Sequence, residues 1–264
     1  MTRLVLALVA CGGDIKDPVF TDTTTDTDTT ATESDTNPPS APDCTGNVSG
    51  FARDAESAPA EGVDLRFCRG SACRTATTLA DGAYEFANVC VGAYSLEFTA
   101  EKDSGLATLI IPLDIADGEV LTVDGFQLPL DPATTLGSAT EIEVVDGLHI
   151  TVGTGDLEPP DALSVAATDI AGVAIPTELL PPVQGATTVV AGWNLHPFDY
   201  EAPAGLPVRV DNLWSLPEGG AYELWVADYT LSVWTVAGTF TVDEGSLVGI
   251  VSLPMLSTMV LVQP

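Results

Sequence analysis

The stretch Tyr94-Ser95-Leu96-Glu97-Phe98-Thr99 decides the fold class. Apolar and polar residues alternate with a period of two, so a strand here presents one buried face and one wet face. Upstream, Val63, Leu65 and Phe67 alternate in the same way with Asp64 and Arg66. Between the two runs, Asp81-Gly82 marks a tight reversal, because glycine supplies the positive φ that such a turn needs. Short alternating strands joined by turns predict a small β-sandwich over residues 44–128.

Composition extends an all-β reading to the rest of the chain. The 264 residues include 24 glycines and 19 prolines, and long runs rich in Leu, Lys and Glu are missing, which favours strands and turns over helices. Apolar residues make up 45% of the chain, enough to build real cores. Against 38 acidic residues stand only 8 basic ones, for a formal net charge of −30. That balance excludes nucleic acid and anionic lipid headgroups as partners, since both require clustered Lys and Arg.

Cys44, Cys68, Cys73 and Cys90 all fall in the first β region. A zinc knuckle would require paired C-x2-C spacing, and no histidine lies nearby. Disulfides formed in an oxidising compartment are the expectation. Four cysteines allow three pairings, and sequence alone does not choose among them. Arg69-Gly70-Ser71-Ala72 reads as a hairpin loop, so a Cys68–Cys73 bridge would staple it and leave Cys44 to reach Cys90.

Thr78-Leu79-Ala80-Asp81-Gly82-Ala83-Tyr84-Glu85-Phe86, followed by Val89-Cys90-Val91-Gly92-Ala93-Tyr94-Ser95-Leu96, resembles the carboxypeptidase regulatory-like domain. Gly46-Asn47-Val48-Ser49-Gly50 and Gly62-Val63-Asp64-Leu65 are similar to that family's opening strands. Cys90-Val91 stands where the family has proline before the glycine. The resemblance implies a transthyretin-like sandwich that serves as a structural or binding accessory and not as a peptidase.

A second β region is expected over residues 129–264. Asp146-Gly147 separates Ile142–Val145 from Leu148–Val152 as a hairpin. Val208–Val210, Tyr222–Ala227, Leu231–Val242, Leu247–Leu253 and Met259–Val262 read as further strands. The run Pro207-Val208-Arg209-Val210-Asp211-Asn212-Leu213-Trp214-Ser215-Leu216-Pro217-Glu218-Gly219, with Trp234-Thr235-Val236-Ala237-Gly238-Thr239, resembles a β-domain repeated in bacterial surface proteins. That resemblance implies no chemistry.

All four tryptophans, Trp193, Trp214, Trp225 and Trp234, lie in this region. Most are expected in the core, where their large apolar area is best used. In Tyr222-Glu223-Leu224-Trp225-Val226, however, Trp225 shares a face with Glu223, opposite the apolar trio. Trp225, Glu223 and the nearby Tyr229 are therefore the candidate ligand-binding residues, with a sugar ring as the natural stacking partner. His149 and His196 show no zinc-peptidase spacing, and no nucleophile elbow or phosphate loop is present. The acidic run Asp114-Ile115-Ala116-Asp117-Gly118-Glu119 departs from an EF-hand and reads as a solvated loop. No catalytic residue, cofactor or metal site is expected.

The N-terminus gives the address. Leu8-Val9-Ala10-Cys11 follows Arg3 and a short apolar run, and it resembles the lipobox of bacterial lipoproteins. That resemblance implies a signal peptide over residues 1–10 and a lipid on Cys11. The rival reading is a chance cysteine behind an ordinary start. The apolar run is too short for a transmembrane helix, which needs about 20 residues. Residues 11–43 form an acidic Thr/Asp/Pro-rich segment with almost nothing to bury, expected to be a disordered tether. Gly12 in place of Asp resembles outer-membrane sorting. The sequence thus predicts two β-sandwich domains behind a tether, in a non-catalytic, lipid-anchored envelope protein. Its partners would be the membrane, through the anchor, and a surface glycan or another envelope protein. The alternative is an exported hydrolase that uses carboxylates without a recognisable motif.

Overall fold

The computed structural model describes residues 44–101, 104–160 and 165–264; Cys11, the signal segment and the tether lie outside the described residues. The described residues form eighteen strands and one short 3-10 helix, Thr177–Leu179.

The first region holds β1 (Gly46–Arg53), β2 (Asp64–Arg69), β3 (Ala72–Thr77), β4 (Ala83–Val89), β5 (Gly92–Thr99), β6 (Leu109–Ile115), β7 (Val120–Thr122) and β8 (Gly125–Phe126). In one sheet β1 pairs antiparallel with β4 and parallel with β7 and β8. The other sheet runs β3-β2-β5-β6, antiparallel throughout. Their inner faces share a core in which the Phe67 ring stacks 4.5 Å from Tyr94 and 5.0 Å from Phe86. Gly82 makes the predicted turn at φ +78°, and a Cβ there would lie 2.5 Å from the Ala52 carbonyl oxygen. Cys68 bridges Cys73 across the β2–β3 hairpin, and Cys44 bridges Cys90.

The second region holds β9 (Thr134–Thr135), β10 (Thr140–Val145), β11 (Leu148–Val152), β12 (Asp169–Ala174), β13 (Thr188–His196), β14 (Glu201–Val210), β15 (Ala221–Asp228), β16 (Val233–Asp243), β17 (Ser246–Met255) and β18 (Thr258–Gln263). All ten form one sheet, in the order β10-β11-β14-β17-β16-β15-β18-β13-β12-β9. It curls until β10 packs near β12, so a single sheet folds over its own core of Trp193, Leu195, Leu224, Phe240, Leu253 and Leu261. Ile175 and Leu179, from the segment between β12 and β13, instead enter the first region's core. Ala41–Pro264 form one compact unit.

One expectation about β5 is corrected. Ser95 and Glu97, read as belonging to a wet face, are 0% and 1% exposed. The second region covers that face. Ser95 Oγ bonds Ser232 Oγ at 2.9 Å and the Tyr229 carbonyl at 3.3 Å. Farther along the seam, the Ile110 amide donates to Thr258 Oγ1 at 2.9 Å, and Asn194 Nδ2 donates to the Thr108 carbonyl at 2.6 Å. A polar strand face thus becomes buried because hydrogen-bonding groups meet it from the other side.

Candidate functional site

Strand β15 sorts its side chains as the period of two requires. Tyr222, Leu224 and Val226 enter the core, while Glu223 and Trp225 stand half-buried on the outer face. Pairing with β16 shifts register between Leu224 and Trp225, so Trp225 faces Val236 and Ala227 faces Trp234. The two indoles are therefore diagonal neighbours on one face. Trp225 Nε1 donates to Glu223 Oε2 at 2.7 Å, which fixes the ring relative to the strand.

Under the indoles lies a small apolar cluster of Val183, Val260 and Val262. The connection before β13 runs over it. Gly185, at φ +92°, brings backbone close to Trp225; a Cβ there would sit 3.7 Å from the ring. Gln184 pins this loop to β6, accepting from the Asp114 amide at 2.8 Å and donating to the Asp114 carbonyl at 2.9 Å. The result is a cleft of about 700 Å³ between β6, the loop and β15–β16, lined by Trp225, Trp234, Pro112, Asp114, Gln184 and Ser232. Its size falls within the range of small-ligand sites, roughly 300–1,000 Å³. Exposed Asp114 gives it a carboxylate rim, and Trp234 contributes a buried indole N–H with no partner in the structure. Aromatic faces beside a few polar groups suit a ligand that is apolar on one side and hydroxylated at its edge.

The third candidate, Tyr229, sits elsewhere. It belongs to the seam, where Arg66 Nη2 lies 3.3 Å from its hydroxyl and Arg66 Nη1 lies 3.5 Å from Glu97 Oε2. Burial pushes Glu97 up to about 7; Arg66 opposes that rise, Asp199 adds to it, and the Tyr229 hydroxyl opposes it. Asp199 itself rises to about 6, through burial and then through Glu201 and Asp228. The Tyr229 phenol is also raised, first by burial and next by the charge of Glu97. Cys68 Sγ lies 3.7 Å from Glu97 Oε1, and a bridged sulfur carries no proton, so only a protonated Glu97 can donate in this contact. The structure therefore unites Trp225 with Glu223 and separates both from Tyr229.

Sequence reasoning missed Trp234, Asp114 and Gln184 as neighbours of Trp225. Only the register shift in β15–β16 and the long reach of the Gln184 loop bring them together. The acidic run after β6 folds onto itself, with Glu119 Oε2 accepting from the Ala116 amide at 2.6 Å and Asp117 from Thr45 at 3.4 Å. His196 ends β13 on the exposed side, and desolvation lowers its pKa.

No protein-family model and no curated protein matches the chain. Among solved structures, the chain is similar to the 5-hydroxyisourate hydrolase of Klebsiella pneumoniae at 18% identity, over 32% of this chain and 86% of that one, with a TM-score of 0.27. A streptococcal ancillary pilin is similar at 13% identity over 79% of this chain and 50% of its own, with a TM-score of 0.28. The full-length major pilin SpaD of Corynebacterium diphtheriae is similar at 10% identity over 80% and 82%, again with a TM-score of 0.28.

Proposed function

We propose that this protein is a non-catalytic module of the bacterial cell envelope, lipid-anchored through Cys11, that holds a surface glycan in the Trp225–Trp234 cleft. The observation that carries this reading is the pair of indoles on the outer face of β15–β16, one fixed by Glu223, beside the Asp114 carboxylate. Sugar rings present C–H faces to such indoles, and their hydroxyls meet the polar rim. Gly12 after the cysteine supports outer-membrane placement.

The hydrolase alternative would look to Glu97 and Asp199, whose raised pKa values suit acid–base work. Glu97 is only 1% exposed beneath Arg66 and Tyr229, which gives a substrate no approach to it. Binding is the better-supported reading.

Glycan-array and calorimetric binding on Trp225→Ala test it. One lost stacking contact is worth about 1 kcal/mol, so affinity should fall about fivefold while the melting curve barely moves. Unchanged binding, or no glycan bound by the parent protein, would remove the cleft from the function. The anchor is tested separately: Cys11→Ser should move the intact protein from the membrane to the soluble fraction.

A further inference from the structure

A second constellation lies at the far edge of the curled sheet. Strand pairing sets Glu143 directly opposite His149, and His149 directly opposite Arg209. Asp211 follows two residues after Arg209, where its amide donates to the Gly147 carbonyl at 2.8 Å. Three adjacent segments thus converge at the Asp146-Gly147 turn, on the face opposite the buried Leu148, Ile150, Val208 and Val210.

Donor atoms of Glu143, His149 and Asp211 lie within 4.8 Å of one another. His149 Nε2 is 3.0 Å from Asp211 Oδ2. Two ligands bonded at about 2.0–2.1 Å in a tetrahedral shell stand roughly 3.3 Å apart, so this pair already has nearly the spacing that one metal ion imposes. Glu143 is held in place by the Gly147 amide, which donates to Oε1 at 3.1 Å. The imidazole side chain is 12% exposed, so its position is fixed by packing and not by solvent.

Charge favours a cation here. Glu141, Glu143 and Asp211 supply three carboxylates, and Arg209 alone offsets them, pairing with Glu141 at 3.2 Å and with Asp211 Oδ1. That pairing leaves Asp211 Oδ2 turned to the imidazole. Arg209 and Asp211 also line a neighbouring cleft of about 620 Å³, which gives solvent a route to complete a coordination shell. One imidazole with two carboxylates suits Zn²⁺ or a similar transition ion better than Ca²⁺ or Mg²⁺, which prefer oxygen alone.

We propose that Glu143, His149 and Asp211 bind a divalent transition-metal ion, with Zn²⁺ the reference, and that the ion clips β10 to β11 and β14. Three protein ligands leave a position for water. The role of the ion is to secure the outermost strand of the sheet, where β10 has a hydrogen-bonded neighbour on one side only.

The test titrates Zn²⁺ alone into the chelator-treated full chain by calorimetry. One saturable site is expected, weakened tenfold or more in His149→Ala and in Asp211→Asn, with far-UV circular dichroism showing both variants folded. His196→Ala removes the other histidine and should leave affinity unchanged. Arg209→Gln removes the competing cation and should tighten binding, whereas a purely structural His–Asp–Arg network would gain nothing from its loss. Absence of saturable uptake, or equal affinity in parent and His149→Ala, would overturn the proposal.

Discussion

The two β regions start from the same alternating chemistry and close their cores in different ways. The first packs two small sheets face to face, with no strand longer than 8 residues and two disulfides. The second curls one ten-stranded sheet over itself, with strands of 10 and 11 residues and no cysteine. A small core buries too little apolar surface to offset chain entropy comfortably, so covalent staples matter there. A long continuous sheet gains its stability from register and from large interior side chains such as Trp193 and Phe240. Between them lies a hydrogen-bonded seam, which Ile175 and Leu179 cross into the first core. Closure is thus covalent in one region, cooperative in the other and polar where they meet.

The sharpest way to break that contrast is inside the curled sheet. Trp193 is 1% exposed, with the Trp214 ring 5.7 Å away at a steep angle. Trp193→Ala should cost about 3–5 kcal/mol in denaturant unfolding, because it removes a large buried ring and leaves a cavity. A loss below about 1 kcal/mol would mean that the sheet does not depend on this core.

The staples should follow with unequal weights. Cys44–Cys90 closes a loop with a sequence separation of 46, against 5 for Cys68–Cys73. Loop-closure entropy assigns about 4 kcal/mol to the first and about 2 kcal/mol to the second. Paired Cys→Ala variants, compared by thermal unfolding, should show that order. Equal losses would show that native-state packing and not chain entropy sets the contribution.

The smallest effect sharpens the picture of the seam. Glu97 at about 7 and Asp199 at about 6 hold protons more tightly when folded than at their ordinary values of 4.5 and 3.8. Their contribution to stability is complete below those ordinary values and is lost as pH rises through about 6 to 7. Glu97 alone should cost the protein on the order of 2 kcal/mol between roughly pH 5 and pH 8, with partly exposed Asp199 adding less because solvent screens it, read as a falling Tm. Acidic self-repulsion, which grows as pH rises, acts in the same direction, so the variant isolates the local part. Glu97→Gln should flatten the slope and raise Tm at the alkaline end. An unchanged slope would assign the whole effect to net charge.

Much of the fold is legible in the residues. Alternation in Tyr94–Thr99, the Asp81-Gly82 and Asp146-Gly147 turns and the position of Cys68 and Cys73 on one hairpin are local signals. Local signals survive without knowledge of the partner strand. The sorting of Trp225 and Glu223 away from Tyr222, Leu224 and Val226 was equally readable, because a period of two leaves no other choice. What covers each face was not. Ser95 and Glu97 look solvent-facing until residues more than a hundred positions away in sequence descend on them. Tyr229 looks close to Trp225 in sequence but turns into the seam with Arg66.

The sequence by itself determined the strand content, the turns, the acidic surface and the inner and outer faces of individual strands, since each depends on nearest-neighbour geometry. Only the tertiary structure decided that one sheet would curl into a closed core, that a polar strand face would be buried, and that Asp114 and Gln184 would meet Trp225. Those outcomes depend on which distant strands pair and in what register. A shift of one residue there exchanges every inward side chain for an outward one, and no local stretch of sequence encodes that choice.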